Sequence, residues 1–412
     1  MIKKLRKNPL FFGLTHVGQV FSIGWSEKMG SCAVSDFDKN KISNFENLKV
    51  TSEEPNLKKY LKKNKKKIKF CYSLEEIKQY KNVFLTIDTP LDNFGKPNTN
   101  KIIQSIKLLK PFLYKNSNLI ITSQVYCGFC DDLARTILKD RKDINLIYFV
   151  ETLIMGNAIN RFLYPERIII GCKKKINLFK EFKKFKCRVF IYSTREAEMV
   201  KIAVNLFLFN SVTYANLIDS YCRQYGFRFS KINEALRYDS RIGKKSYIQP
   251  SLGLGGGHLE RDVFNAIKNS NNFYLVKIFK KMSSFNNTRM NLLIKKYNIL
   301  QKKFKFKRII WVGPSYKSES FSIVNSPFLK FRKFLNKKSK KLYSYDSFFN
   351  LEKEKLYLIY KHINKYFNRS LIILNYSSKK DLFKLNRLIQ NKGSYIISLN
   401  PIKFEKNNLI NY

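Results

Sequence analysis

A strand, a glycine turn, a helix and a second strand follow one another in residues 8–38, and this order constrains the fold most strongly. The first apolar run ends at Gly13, an amphipathic segment follows, and the second run begins at Cys32. Two further β-branched runs begin at Asn82 and Asn118. Short buried strands of this kind, alternating with helical segments, are typical of a parallel sheet. The sequence therefore predicts an α/β fold.

The turn after the first apolar run carries part of a dinucleotide-binding fingerprint. That fingerprint needs one glycine for a tight turn, a second for close approach to the pyrophosphate, and a third for packing of helix on strand. Gly13 and Gly18 stand at the required spacing, and Asp36 is placed to hold ribose hydroxyls. Thr15 occupies the middle position, where its β-carbon should crowd the pyrophosphate while its hydroxyl could donate a hydrogen bond. By itself the motif fits a generic βα turn as well as a cofactor site.

Residues 239–262 are dense in glycine: four glycines fall within five positions, and His258 and Asp262 follow. Such density indicates backbone that needs unusual dihedral angles or approaches a ligand closely. The next residues have helical periodicity, and a helix that starts there would place His258 and Asp262 on one face at i and i+4. Taken alone, the stretch is better explained as a flexible loop capped by a helix.

A long helix is predicted after Ser193, because Ser193 and Glu196 form a capping box before an apolar stripe that continues to Tyr225. Lys201 and Asn205 interrupt that stripe one turn apart, on the same face. Two polar residues in such a position are either a solvated edge of the helix or groups of a functional site.

The composition predicts a folded cytoplasmic protein. Hydrophobic residues make up 44% of the 412 residues, and no apolar run approaches the roughly 18–20 residues that a membrane span needs. The basic N-terminus runs into the glycine turn without a signal-peptide cleavage pattern. Seven scattered cysteines predict no disulfide framework, and the lone pair Cys127 and Cys130 predicts no metal site.

The net charge of +49 comes from 79 Lys and Arg residues against 30 Asp and Glu residues. Abundant Lys, Asn, Ile, Phe and Tyr suggest A/T-rich codon bias, which explains many lysines but not the scarcity of acids. The basic residues are spread along the chain, so we expect a general attraction of polyanions and not a dedicated nucleic-acid site.

Several stretches together resemble the UDP-glucose/GDP-mannose dehydrogenase family. Residues 239–262 are similar to its active-site loop, Asp-x-Arg-Ile-Gly followed by Gly-Gly-x-Cys-x-x-x-Asp, with His258 at the cysteine position. Residues 197–205 are similar to its central-helix motif Ala-Glu-x-x-Lys-x-x-x-Asn. Residues 151–171 resemble its Pro-Glu-Phe-Leu-x-x-Gly-x-Ala-Ile segment and the Phe-x-x-Pro-x-Arg-Ile-x-Ile-Gly that follows, although Met155 replaces a second glutamate.

The resemblance implies two Rossmann-like, doubly wound parallel-sheet domains joined by a long central helix. It implies an N-terminal dinucleotide-binding domain (1–192), a central helical dimerisation and active-site domain (193–304) and a C-terminal nucleotide-sugar-binding domain (305–412). It also implies NAD as the cofactor, a nucleotide-sugar substrate for polysaccharide precursor synthesis, and a homodimer formed through the central helix. Asp36 favours NAD over NADP, because a carboxylate would repel a 2′-phosphate.

The resemblance further implies the roles of individual residues. Lys201 and Asn205 are expected to stabilise negative charge on the substrate oxygen. The expected catalytic residues are Glu151, Lys201, Asn205, His258 and Asp262. The expected cofactor-binding residues are Gly13, Thr15, His16, Val17, Gly18, Asp36, Thr89 and Gln124. The expected substrate-binding residues are Arg241, Gly255, Gly256 and Lys317.

The histidine at the cysteine position limits the chemistry that we expect. In the family, two hydride transfers convert an alcohol to an acid, and the cysteine thiolate holds the intermediate as a thioester. His258 cannot form a thioester, so we expect an oxidoreductase limited to one hydride transfer, with His258 as the base and Asp262 orienting it. The alternative hypothesis is an inactive relative that binds nucleotide sugar or NAD. A weaker third hypothesis is binding of nucleic acid or an acidic glycan through the lysines.

Overall fold

The computed structural model describes most of the chain and divides into two compact units, residues 1–204 and 205–412. The three-domain division stays a prediction. Within the described residues, no helix combines the length and apolar character needed to cross a bilayer. The described residues are 6–51, 54–90, 98–174, 176, 178–256, 258–316, 323, 325–345, 369–375, 394–399 and 409–411, those at 258 and 409–411 without their side chains.

The first unit contains an eight-stranded sheet in the order β3-β2-β1-β4-β5-β6-β7-β8. Neighbouring strands are parallel except β6 and β7, so the last two strands run opposite to the other six. Strand order reverses between β1 and β4, where the carboxyl ends of parallel strands leave a crevice for ligands. The strands are β1 (Leu10–Phe12), β2 (Cys32–Ser35), β3 (Ile68–Phe70), β4 (Asn82–Leu85), β5 (Asn118–Ile121), β6 (Asn145–Phe149), β7 (Arg167–Cys172) and β8 (Arg188–Tyr192).

Apolar clusters cover both faces of this sheet. Phe11 and Phe84 lie in one cluster, while Leu10, Phe12 and Val83 lie in the other, since successive side chains of a strand point to opposite faces. Burial on both faces explains why these strands are continuous apolar runs and not alternating ones. The helices of this unit are α1 (His16–Lys28), α2 (Lys39–Glu46), α3 (Leu57–Asn64), α4 (Asn100–Leu109), α5 (Phe129–Arg135), α6 (Ala158–Leu163) and α7 (Leu178–Glu181).

The predicted long helix is confirmed as α8 (Thr194–Gln224), which begins in the first unit and continues into the second. Its capping box is formed: Ser193 N donates to Glu196 Oε2 at 2.8 Å, and Glu196 N donates to Ser193 Oγ at 3.3 Å. Gly226 ends the segment with a φ of +73°, a conformation that favours glycine.

The second unit adds a five-stranded parallel sheet in the order β10-β9-β11-β12-β13. This confirms the α/β prediction: the chain has a large sheet that is parallel except between β6 and β7, a second sheet that is parallel throughout, and a long helix. The strands are β9 (Arg308–Val312), β10 (Leu342–Tyr345), β11 (Ser370–Leu374), β12 (Tyr395–Ser398) and β13 (Leu409–Asn411), and the helices are α9 (Phe229–Tyr238), α10 (His258–Asn269), α11 (Phe273–Phe304) and α12 (Pro327–Asn336).

Candidate functional site

The turn between β1 and α1 requires glycine at two positions. Gly13 has a φ of +104°, and a β-carbon there would lie 2.8 Å from Ile87 Cγ1. A β-carbon on Gly18 would overlap the carbonyl oxygen of Gly13. The loop after β1 and the first turn of α1 can therefore lie this close only because Gly13 and Gly18 have no side chain. The absence of these side chains leaves backbone amides open to a pyrophosphate. This cradle fits a dinucleotide.

Thr15, which stands at the middle glycine position, holds the turn in place. Its Oγ1 donates to the carbonyl oxygen of Thr86 at 2.6 Å and accepts from Gly18 N at 3.5 Å, as the N-cap of α1. A hydroxyl has one hydrogen to donate, and this hydrogen is used within the protein. The hydroxyl therefore secures the loop instead of serving as a spare donor.

Asp36, at the end of β2, joins the two halves of the predicted cofactor site. Its Oδ2 accepts from Leu14 N at 2.7 Å, and its Oδ1 accepts from Asp38 N at 3.0 Å. Lys41 Nζ lies 3.9 Å from Oδ2. Each carboxylate oxygen has further lone pairs, so the group can still accept a ribose hydroxyl.

The structure also brings Thr89 and Gln124 together, beyond the carboxyl ends of β4 and β5. Thr89 Oγ1 donates to the backbone oxygen of Gln124 at 2.6 Å, and both residues are buried. Val17 is half-buried and packs against the apolar cluster beneath α1. These three predicted residues thus lie on the elements that form the turn and its neighbouring strand ends.

Glu54 also belongs to the region around the β1–α1 turn, and the sequence analysis did not assign it a role. Its carboxylate accepts from His16 Nε2 at 2.9 Å, from Gly156 N at 2.9 Å and from Ala158 N at 3.2 Å. Burial raises the pKa of Glu54, but these hydrogen bonds outweigh burial, and the net pKa is lowered. Glu54 therefore ties the start of α1 to the start of α6 as an anion. The signal for it was the Glu-Pro pair at positions 54 and 55.

Lys201 and Glu151, both expected to be catalytic, form an ion pair in the first unit. Lys201 Nζ donates to Glu151 Oε2 at 3.1 Å and to the Glu151 backbone oxygen at 2.7 Å. Glu151 Oε1 accepts from Leu153 N. The two side chains remain 15% and 18% exposed, so a ligand can reach an ammonium donor and a carboxylate acceptor here.

Asn205 and Asp262 meet in the second unit. Asn205 Nδ2 donates to Asp262 Oδ2 at 2.6 Å, and both side chains are buried. Helix α10 begins at His258, as predicted, so His258 and Asp262 are one turn apart on it. The side chain of His258 lies outside the described residues.

The glycines that precede α10 serve close packing. Gly253 and Gly256 have φ values of +101° and +86°. A β-carbon on Gly253 would lie 2.6 Å from the backbone oxygen of Asn286, and one on Gly256 would lie 2.7 Å from the Tyr316 ring. A β-carbon on Gly255 would lie 2.8 Å from Tyr316 Cβ. The segment 251–256, called the glycine loop below, is therefore a packed segment and not the flexible loop that its composition favours.

A buried polar network that the sequence did not indicate holds the glycine loop. Arg289 donates to Asp219 Oδ2 at 2.6 Å, to Ser220 Oγ at 2.8 Å and to the Ser251 backbone oxygen at 3.2 Å. Asn216 Oδ1 accepts from Ser251 N at 2.7 Å. The network fixes both backbone polar groups of Ser251.

A cavity of about 270 Å³ in the second unit borders the glycine loop. Three arginines of α8, α9 and the segment between them line it, together with Tyr316 and Gly255. Guanidinium groups suit anionic ligands such as phosphates. These three arginines are Arg223, Arg228 and Arg237.

Two of the other predicted substrate residues, Arg241 and Gly256, do not line this cavity. Arg241 is exposed and donates to Asp239 Oδ2 at 2.6 Å and to Oδ1 at 3.0 Å. Gly256 packs on Tyr316 without lining the cavity, and Lys317 lies outside the described residues. Among the described residues, no cluster of three His, Cys, Asp or Glu side chains is suited to a metal ion.

Family models match most of the first unit and the start of the second. The NAD binding domain of the UDP-glucose/GDP-mannose dehydrogenase family matches residues 8–185, and the central domain of that family matches residues 195–288. The UDP-glucose 6-dehydrogenase of Campylobacter jejuni is 30% identical to this chain, covering 79% of it and 88% of the relative. The enzyme of the same name from Rickettsia bellii is 25% identical, covering 82% and 80%.

Solved structures show the same fold. A UDP-glucose dehydrogenase from the archaeon Pyrobaculum islandicum superposes with a TM-score of 0.84 at 18% identity, covering 98% of this chain and 96% of that chain. A UDP-D-ManNAc dehydrogenase from Pyrococcus horikoshii gives a TM-score of 0.82 at 21% identity, covering 98% of both chains. With the two family models and the 30% identical relative, the conclusion is that this chain belongs to the UDP-glucose/GDP-mannose dehydrogenase family and carries its NAD binding domain.

Proposed function

We propose that this member of the family oxidises one alcohol group of a nucleotide sugar by a single hydride transfer. The observation that carries the proposal is the Lys201–Glu151 pair, an ammonium and a carboxylate held together and still open to a ligand. Both groups coincide with residues that the family resemblance marks as catalytic. NAD, when bound at the glycine turn, supplies the acceptor for the hydride.

The residues around the cofactor turn bind and orient in this proposal. Gly13 and Gly18 leave room for the pyrophosphate, because side chains at either position would meet backbone or neighbouring side chains. The carboxylate of Asp36 accepts hydrogen bonds from a ribose. Thr15 contributes by holding the turn against the end of β4.

The reacting hydroxyl needs a base and a donor for the charge that develops on its oxygen. His258 takes the proton, since imidazole titrates near neutral pH, and Asp262 orients the ring. Lys201 and Asn205 stabilise the oxygen as it becomes negative. An imidazole cannot carry the acyl group that the family's cysteine holds, so the product is an aldehyde or ketone and not an acid.

The nucleotide part of the substrate is proposed to bind in the arginine-lined cavity of the second unit. Its arginines can form bidentate hydrogen bonds with phosphate oxygens. Gly255 and Gly256 allow the glycine loop to pack closely on Tyr316, which borders the same cavity. Lys317 follows Tyr316 directly in the chain and is proposed to contact a phosphate.

The deciding experiment follows reduced-nicotinamide absorbance with purified protein, NAD and a panel of UDP- and GDP-sugars. One hydride per sugar, lost in a His258→Ala variant that still binds NAD, is the expected result. Two hydrides per sugar with an acid product would refute the single-step proposal. NAD binding without turnover on any sugar would favour the inactive relative.

We also propose that the protein is a homodimer formed through α8. Of the large apolar side chains that are exposed on this helix, four follow one another at spacings of seven, three and four residues, which places them on one face. Such a stripe on a helix indicates a partner. Leu217→Glu should convert a dimer to a monomer in analytical ultracentrifugation, and an unchanged mass would exclude this interface. The four side chains are Phe207, Tyr214, Leu217 and Tyr221.

A cytoplasmic location is proposed as well. All seven cysteines are free thiols, as is usual for proteins of a reducing compartment. Fractionation of the source cells would test this location, and recovery in a membrane or extracellular fraction would contradict it.

A further inference from the structure

A second cavity, of about 940 Å³, opens in the first unit at the amino ends of β4, β5 and β6. The glycine turn follows the carboxyl end of β1, which is parallel to β4. The cavity therefore lies at the opposite end of the sheet from the proposed cofactor site. Of the described residues proposed to bind cofactor or substrate, none lines it.

A ladder of three asparagines lines this cavity. Asn82, Asn118 and Asn145 are the first residues of β4, β5 and β6, and they pair in register. Asn145 Nδ2 donates to Asn118 Oδ1 at 3.0 Å, and Asn118 Nδ2 donates to Asn82 Oδ1 at 2.6 Å. Asparagine is depleted in strands, so three at the same level of adjacent strands call for an explanation.

The asparagine side chains of the ladder have N–H hydrogens that are not used within it. Every amide nitrogen carries two hydrogens, and Asn118 and Asn145 each use one of them along the ladder. Asn82 Nδ2 has no acceptor among the described residues. The hydrogen bonds run in one direction and polarise one another, which strengthens Asn82 as the terminal donor. The ladder therefore presents hydrogen-bond donors at the cavity and suits a ligand made of acceptors.

The side chains that line the cavity carry mainly positive charge, which suits a ligand made of negatively charged acceptors. Among the described residues that line the cavity, eight are basic and three are acidic, a proportion close to that of the whole chain. The acids are already paired: Asp131 with Arg195, Asp143 with Arg141 at 2.9 Å, and Glu181 with Lys184 at 2.8 Å. Six lining lysines have no carboxylate partner in the described part of the chain: Lys7, Lys81, Lys142, Lys173, Lys174 and Lys180.

We propose that this cavity is a separate binding site for a small molecule with two or more phosphate groups. Phosphate oxygens only accept hydrogen bonds and carry the negative charge that unpaired lysines attract. The volume is in the range of sites that hold a nucleotide-sized ligand. Aliphatic side chains, among them Leu138, Ile144 and Leu146, also line it and suit the less polar portion of such a ligand. The proposal does not depend on the dehydrogenase reaction.

The test uses calorimetric titration of the full chain with inorganic tripolyphosphate, at about 0.15 M salt and with NAD saturating, so that the cofactor site is filled. Binding of one tripolyphosphate per chain at this cavity is expected, beside any binding at the arginine-lined cavity of the second unit. Asn82→Asp keeps the oxygen that accepts from Asn118 but adds a negative charge at the cavity, so it should weaken binding at least about tenfold. Unchanged affinity in this variant would overturn the proposal.

A charge-matched pair of variants separates the cavity from general attraction by a basic protein. Lys81→Gln with Lys142→Gln removes two charges at the cavity, and Lys58→Gln with Lys59→Gln removes two exposed charges on α3. The first pair should weaken binding at least about tenfold and the second less than about twofold. Equal losses of affinity in the two pairs of variants would show that binding depends only on the overall charge of the protein and would overturn the proposal. Titration with nucleoside triphosphates and with sugar bisphosphates then shows which kind of phosphorylated molecule the cavity prefers. The affinity for each should fall in the Asn82→Asp variant.

Discussion

The buried guanidinium of Arg289 provides a test of how the second unit holds its glycine loop. Its side chain is 2% exposed and donates to Asp219, Ser220 and the backbone oxygen of Ser251. We expect Arg289→Met to lower the free energy of unfolding, because methionine keeps much of the packing of the side-chain stem but none of the hydrogen bonds. It should also loosen the loop at Ser251.

The magnitude follows from the partners that remain. Removing one member of a buried ion pair costs about 3–5 kcal/mol, because the other charge is left buried. Asp219 keeps a hydrogen bond from Arg223 Nε at 2.9 Å, so the lower end, about 3 kcal/mol, applies. For a unit of roughly 200 residues each kcal/mol shifts the melting temperature by about 2–4 °C, which predicts a fall of about 6–12 °C.

Differential scanning calorimetry measures this fall, and Arg241→Met is the matched control. Arg241 makes a similar pair with Asp239 at 2.6 Å, but its side chain is 87% exposed, so its loss should leave the melting temperature unchanged. Adding Asp219→Leu to Arg289→Met should restore part of the stability by removing the stranded carboxylate. A melting temperature of Arg289→Met equal to that of the wild type, or further destabilisation by Asp219→Leu, would refute the reasoning.

Three further predictions concern the first unit. Gly18→Ala should weaken NAD binding in calorimetric titration, because the new methyl group must displace the Gly13 carbonyl at a cost of about 1–3 kcal/mol. Lys201→Met should lower kcat about 10²–10³-fold in the absorbance assay while NAD affinity is kept, because a donor to the reacting oxygen and to Glu151 is lost. Glu54→Gln should melt below the wild type above about pH 5, and the difference should vanish as pH falls through the lowered folded pKa of Glu54.

A specific result would contradict each of these three predictions. Unchanged NAD affinity of Gly18→Ala would mean that the turn adjusts without cost. A kcat of Lys201→Met equal to that of Lys58→Met, a surface control, would remove Lys201 from the reaction. A stability difference for Glu54→Gln that is independent of pH would mean that the anionic form of Glu54 is not the stabilising one.

Local patterns in the sequence were sufficient to predict the elements of the fold. The apolar run that ends at Gly13 became β1, and the capping box at Ser193 begins α8 where it was expected. The predicted start of α10 at His258 also agrees with the structure. Strand direction was less predictable: β7 and β8 run opposite to the first six strands, and nothing in their apolar runs indicates it.

The candidate site was predictable only as far as short motifs extend. Lys201 and Glu151, both assigned through the family resemblance, lie together as a pair. Thr15 was expected to affect the pyrophosphate, whereas its hydroxyl bonds a carbonyl 71 residues away. The roles assigned to the individual site residues stay predictions until the variants are measured.

The sequence by itself determined the alternation of strands and helices, the positions that admit only glycine, and the motifs that identify the family. These depend on periodicity and spacing within a few tens of residues. Only the tertiary structure decided that Glu54 joins two helix starts, that Arg289 holds Ser251, and that three asparagines form a ladder. Those contacts join residues 27 to 104 positions apart. Their polar groups must find partners because burial removes them from water, and which partner each finds depends on how the elements pack.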